Sequence, residues 1–431
     1  MTQKRHNVLT FGLIALIVVA LTGCSGLFGD DDDSSGGGSS GPDFDEDFTV
    51  LTAVAGGGKI AFYDPDGDSE EDEYKGDKIR LVSGRFLEDV EFTSDAIWYL
   101  NGSVFIGSND AASDAADVAA KTELTVEAGT IVRGFVSSTN PGAIIIDRDG
   151  KINAVGTATN PIVFTSARDE GKRAPGDWGG MIINGSARVQ KGSADGEGGT
   201  GTYGGDFDAD SSGTLRYARI EFGGTLFSPD NELNGIAFQG VGSGTTVDHI
   251  QVHQNADDGV EFFGGSVQVK YVLLTGIQDD SLDHDDGWNG SAQYVMIHQY
   301  PGGDHGIEGD GDSTDVYPPV SAYLANFTFV GADGNDDGFR FRRDAAPSVY
   351  NSLITNVASG ENSIDEETTA DDGSDESAGT VTYYSVVVTS DVEDATEVDW
   401  VDGANNNAQI ANTDFAGWVA SEGRTWSFPS D

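Results

Sequence analysis

The sequence predicts an all-β chain wound into a single parallel β-helix, a solenoid, and three observations carry that reading. First, one short phrase recurs: Asn234-Gly235-Ile236-Ala237, Asp258-Gly259-Val260-Glu261, Asp280-Ser281-Leu282-Asp283, His305-Gly306-Ile307-Glu308, Asp337-Gly338-Phe339-Arg340 and Asn362-Ser363-Ile364-Asp365. The copies start 24, 22, 25, 32 and 25 residues apart, a period that marks a repeat architecture. Second, each phrase is followed by another strand-like run, such as His249-Ile250-Gln251-Val252 or Tyr271-Val272-Leu273-Leu274. Short alternating runs punctuated by Gly, Asn and Asp are strands, not helices. Third, a single turn has an apolar face that it buries only by stacking on its neighbours, so the chain lengthens by adding turns.

From the first residue, Lys4 and Arg5 precede an apolar run from Val8 to Leu21 and then Leu21-Thr22-Gly23-Cys24. A charged start, a short apolar core and a small-residue cleavage site form a signal peptide over residues 1–23. Cys24 is the only cysteine, so intramolecular disulfides and thiol chemistry elsewhere are excluded. Residues 24–47 are rich in Gly, Ser and Asp and cannot bury enough apolar area to fold, which makes them a flexible tether. Residues 48–120 carry β signals without the period and are expected to cap one end of the solenoid, because an uncapped end exposes unpaired backbone groups. The periodic turns occupy 121–390, and Trp400, Phe415, Trp418 and Trp426 place an aromatic cap over 391–431.

The formal charge is −50, and cleavage removes Lys4 and Arg5 and no acid, leaving the mature chain near −52. Such a balance excludes nucleic acid as a partner and suits a salt-rich exterior or divalent cations. The chain still holds 22 Phe, 13 Tyr and 6 Trp, too many for a disordered acidic polymer. Two acidic segments, Asp64-Pro65-Asp66-Gly67-Asp68 and the Asp206, Asp208, Asp210 set, lack the EF-hand's turn glycine and terminal glutamate. Loose calcium binding and a plain solvated loop both remain open for them.

Side-chain alternation then places the acids. With Val260, Leu282, Ile307, Phe339 and Ile364 inside the coil, Glu261, Asp283, Glu308, Arg340 and Asp365 form one outward column. Phe263, Asp285, Asp310, Arg342 and Glu367 form the next. Carboxylates stacked about 4.8 Å apart repel by roughly 3 kcal/mol per pair at an effective dielectric near 20. Glu261, Asp283, Asp285, Glu308 and Asp310 are therefore candidate Ca2+ ligands, with bulk salt or the neighbouring arginines as the other means of compensation. Tyr271 and Tyr294 beside His249, and Tyr317 in the insertion that lengthens the 32-residue turn, are candidate ligand-binding aromatics.

Leu21-Thr22-Gly23-Cys24 resembles the bacterial lipoprotein box, which implies acylation of Cys24 and a membrane partner through that lipid anchor. Ser25 at the next position favours the outer membrane, with the domain facing the cell surface. The turns Leu124-Thr125-Val126-Glu127-Ala128-Gly129-Thr130-Ile131, Asn160-Pro161-Ile162-Val163-Phe164-Thr165-Ser166 and Gly176-Asp177-Trp178-Gly179-Gly180 are similar to those of right-handed β-helices of the pectate-lyase-like superfamily. With Arg216-Tyr217-Ala218-Arg219 they resemble a group of bacterial surface lipoproteins. That resemblance is specific for fold and carries no activity with it; from the acidic columns the chain is expected to be a non-catalytic, calcium-assisted binding or adhesion module for extracellular glycan or a surface partner.

A second resemblance points to an enzyme. Polygalacturonase-type glycosidases carry Asn-x-Asp, Asp-Asp, Gly-His-Gly and Arg-x-Lys on successive turns. Here the same order gives Asn255-Ala256-Asp257, Asp279-Asp280, Asp304-His305-Gly306 and Arg340-Phe341-Arg342. It implies inverting hydrolysis of an acidic polysaccharide, with Asp257, Asp279 and Asp280 as acid and base, His305 tuning them, and Arg340 and Arg342 clamping a uronate. A calcium-dependent lyase with Arg340 or Arg342 as base is the related alternative. Asp304 and Arg342 depart from that pattern, and acids at equivalent turn positions also serve as backbone hydrogen-bond acceptors.

Overall fold

The computed structural model describes residues 47–389 except 55, 110–120, 138, 229–230, 312–320 and 368–376. The signal peptide, the tether, Cys24, Tyr317 and the aromatic C-terminal segment lie outside the described residues. What is described is a parallel β-helix: 27 strands joined in one hydrogen-bonded sheet that winds around an apolar core.

Each turn has three faces. The front sheet stacks the strands Ala143–Ile146, Met181–Asn184, Ile236–Gln239, Val260–Phe263, Leu282–Asp285, Ile307–Asp310, Phe339–Arg342 and Ile364–Glu366 in parallel. The other two faces come from single long strands, Gly213–Glu221, Thr246–His253, Gln268–Thr275, Ser291–His298 and Tyr323–Val330, each bent once near its middle. The bend is one residue in the left-handed conformation: Tyr217, His249, Tyr271, Tyr294 and Asn326, with φ between 48° and 62°. These corner residues drop out of the register, so Asp248 pairs with Lys270 and Ile250 with Val272 while His249 and Tyr271 face outward between them.

The front sheet follows the alternation read from the sequence. Val260, Leu282, Ile307, Phe339 and Ile364 are in register, as are Glu261, Asp283, Glu308, Arg340 and Asp365. Inside, Phe238, Phe262 and Trp288 stack at 5.3 and 4.0 Å between ring centres, and Trp288 is fully buried. His284 occupies the same interior row, fully buried, and burial pushes its imidazole down to about 3, so it stays neutral. Gly309 on the next turn makes room for it: a Cβ there would lie 2.6 Å from His284 Cε1.

The N-terminal boundary differs from expectation. At this end β1 (Phe48–Ala53) pairs antiparallel with β2 (Lys59–Tyr63), and β2 and β3 (Glu73–Tyr74) pair antiparallel with one side of β4 (Asp77–Phe86). The other side of β4 already pairs in parallel with Ala96–Ile106, so the solenoid starts near residue 77 and not at 121. These early turns lack the phrase that marks the later ones: the front-sheet positions here read Gly84-Arg85-Phe86 and Val104-Phe105-Ile106.

Candidate functional site

The outward face of the front sheet changes character along its length. One column runs Ile182, Ala237, Glu261, Asp283, Glu308, Arg340, Asp365. The apolar upper part is covered by the connection between Asn184 and Gly213, whose Val189 and Tyr203 pack on Ile145, Ile182, Ala237 and Phe263. That connection is fastened at its lower edge. Tyr203 Oη donates to Asp286 Oδ2 at 2.8 Å, Lys191 Nζ lies 3.0 Å from Asp286 Oδ1, and the Gln190 amide donates to the Asp286 carbonyl. The acids begin where this cover ends, beside a cavity of about 330 Å³ lined by Gln190, Lys191, Asp285, Asp286, Asp310 and Arg343.

The acids expected to act as one ladder divide into two groups. Downstream, arginines compensate them. Glu308 meets Arg342 Nη2 at 2.8 Å and Arg340 Nη1 at 3.4 Å, and Asp310 meets Arg342 Nε at 3.0 Å and Arg343 Nη1 at 2.7 Å. Arg340 is held on its other side by Glu367 at 2.6 Å. Upstream, one oxygen each of Asp258, Glu261 and Asp283 lie within 4.8 Å of one another. Among the described residues no lysine or arginine forms an ion pair with these three. The Asn234 side-chain amide donates to Glu261 Oε2. Desolvation, then the neighbouring carboxylates, pushes all three well above the usual carboxyl range. Asp285 is raised by desolvation and Asp286 despite nearby Lys191, and its Oδ1 is buried without a hydrogen-bond partner. Protonation or a bound cation satisfies such a group; an open carboxylate cluster does not.

The glycosidase-like set is brought together only in part. Asp258 Oδ1 accepts the Asp280 amide at 3.0 Å, Asp280 Oδ1 accepts the His305 amide at 2.8 Å, and Asp337 Oδ1 accepts the Asn362 amide. This side-chain ladder joins successive turns, and it uses Asp258 and Asp280, one residue later than Asp257 and Asp279. Asp280 Oδ1 also meets His305 Nδ1 at 2.8 Å, with Asp304 at 3.3 Å and Glu308 at 3.9 Å. Desolvation opposes the charge on His305, but the Asp280 hydrogen bond and the three carboxylates outweigh it and hold the imidazole up to about 9. One residue outward, Asp279 hydrogen-bonds Asp304 and is pushed up to about 7 by desolvation and by Asp280 and Asp304. Asp257 is pushed up to about 8, by desolvation first and then by Asp279. Arg340 and Arg342, expected to clamp a uronate, are occupied by Glu308, Asp310 and Glu367.

Tyr271 and Tyr294 lie in a stack that runs Tyr217, His249, Tyr271, Tyr294 with ring centres 4.3, 4.5 and 4.9 Å apart. The Tyr271 ring has a neighbour on each face, so this stack offers ring edges at its middle and not the open face on which a sugar stacks. The stack offsets the left-handed corners, each costing about 1–2 kcal/mol, with about 0.5–1.5 kcal/mol per ring pair. Sequence reading missed Asp258, although it opens its phrase. It also missed Asn234, Lys191, Tyr203 and Asp286, whose contacts span 27 to 95 residues and leave no periodic trace.

No curated protein is matched by the chain. A family model described as the pectate-lyase like beta helix domain matches residues 109–427, and the chain belongs to that family.

Proposed function

We propose that this chain is a surface-anchored, non-catalytic module that binds extracellular glycan with the help of calcium, on the front sheet just beyond the cover. The observation that carries the reading is the Asp258, Glu261 and Asp283 cluster on the front sheet, which no lysine or arginine among the described residues compensates. An all-oxygen donor set suits Ca2+, which accepts irregular geometry and keeps open positions for ligand hydroxyls or carboxylates. Family membership supports a polysaccharide-related role. The anchor is the lipid on Cys24, and the partner is a polysaccharide or a glycosylated surface protein.

The test is calorimetric titration of neutral and uronate oligosaccharides with 2 mM CaCl2 and with EDTA, using the wild type and Asp283→Asn. Calcium-dependent binding that weakens at least tenfold in Asp283→Asn is the expected result. Binding unchanged by EDTA and by the substitution would refute the calcium role. A second reading, acidic-polysaccharide hydrolysis or lysis, is favoured by one feature: Asp257 and Asp279 carry raised carboxyls suited to a general acid. Release of reducing ends or unsaturated products from polygalacturonate, abolished by Asp279→Asn in a folded protein, would establish that reading instead.

A further inference from the structure

A second oxygen cluster lies away from the front sheet, in the connection between β2 and β3. It is built by Asp64, Asp66 and Asp72, and one carboxylate oxygen from each falls within 4.8 Å of the others. Two ligands at about 2.4 Å from one calcium ion lie at most about 4.8 Å apart, so a single ion can touch all three.

Asp64 supplies the independent sign of a ligand. It is 2% exposed, its Oδ2 accepts the Ser69 amide at 3.1 Å, and its Oδ1 is buried with no hydrogen-bond partner. A buried carboxylate oxygen left unpaired costs on the order of a hydrogen bond or more, and the Asp64 carboxylate is the buried member of this cluster. The Thr49 hydroxyl also hydrogen-bonds the Asp64 carboxylate. Lys78 and Arg80 on the adjoining β4 pair with Glu71 and Asp95.

We propose that Asp64, Asp66 and Asp72 form a calcium site that locks the N-terminal hairpin onto the end of the solenoid. The donors are all oxygen, and two of the three side chains are at least partly open, which leaves room for water to complete six to eight ligands. Mg2+ demands near-ideal octahedral geometry and gives up its water reluctantly, so calcium is preferred. The loop is tied at both ends: the Asp64 amide donates to the Asp47 carbonyl at 2.8 Å and the Asp72 amide to the Tyr63 carbonyl at 2.9 Å. An ion there joins the start of β1 to the β2–β3 connection. This site is separate from the proposed glycan face and does not depend on it.

The experiment titrates the full chain with CaCl2 and MgCl2 by calorimetry, and with Tb3+ by tyrosine-sensitised luminescence. Tyr63 and Tyr74, whose rings are 5.6 Å apart at the base of the loop, are the expected donors. A Kd of about 0.1–1 mM for calcium is expected, the range of exposed extracellular modules. Asp66→Asn and Asp72→Asn, the two more exposed positions, each weaken this site at least tenfold and reduce sensitised emission, while Asp283→Asn leaves it intact. Asp64→Asn removes the buried ligand and serves only if circular dichroism shows a folded cap. Unchanged calcium stoichiometry and affinity in both Asp66→Asn and Asp72→Asn, or equal competition by Mg2+, would overturn the proposal.

Discussion

Asp280→Asn tests whether the acids at the start of each phrase are structural. Asn keeps an oxygen for the His305 amide now bonded at 2.8 Å, so the substitution removes charge while leaving the backbone ladder an acceptor. What it loses is the ion pair with His305 Nδ1, also at 2.8 Å. His305 stands at about 9 in the folded chain against an ordinary 6.5, a difference worth about 3 kcal/mol at 1.36 kcal/mol per unit. The sign follows from linkage: a raised folded value gives stability that is complete below pH 6.5 and lost as pH rises through 9. Asp280 is the first of the groups raising it, with Asp304 and Glu308 remaining in the variant. The expected cost is therefore about 2 kcal/mol near pH 6, shrinking to under about 1 kcal/mol above pH 9.5, where the wild type has also lost the imidazolium. Urea unfolding at pH 6 and pH 9.5, with an NMR titration of the His305 ring, measures both parts. A His305 ring that titrates near 6.5 in the wild type, or a variant of wild-type stability at pH 6, would refute the reasoning.

Other outcomes follow from the same geometry. Asp258, Glu261 and Asp283 are raised, so without divalent cations stability declines as pH rises above about 4. Calcium at millimolar concentration is expected to flatten that decline and raise the melting temperature more than sodium at equal ionic strength; equal effects of the two ions would leave screening alone. Tyr271→Ala interrupts the corner stack between His249 and Tyr294, and a loss of about 1–2 kcal/mol is expected by thermal or chemical denaturation. Cys24→Ser is expected to release the protein into the soluble fraction with its leader uncleaved, and normal membrane fractionation of the variant would contradict lipid anchoring.

The repeat, the strands and the inward row were legible in the sequence because they are local. Alternation within a four-residue strand sets which residue enters the coil, and a period near 24 residues sets which residues meet on neighbouring turns. Val260 over Leu282 and Glu261 over Asp283 follow from those two facts alone. The first turns, between residues 77 and 120, were not legible as turns, because β4 and Ala96–Ile106 pair in parallel without carrying the recurring phrase. The corners were hidden too: nothing in a tyrosine or histidine announces a left-handed backbone, a conformation held by the stack it forms with the next turn.

Which acids are compensated was decided only by the tertiary structure. By sequence, Glu261 and Glu308 occupy the same place in the same phrase. In space, Glu308 is reached by Arg342 from 34 residues away, while Glu261 is reached by the Asn234 amide and faces Asp283. Burial then multiplies that difference, because Coulomb energies and desolvation costs both grow as water is removed. A column of like charges is thus a fact of the sequence. Its division into an arginine-paired half and a half that no lysine or arginine among the described residues pairs is a fact of long-range packing, where the cover ends and the next turn's arginines begin.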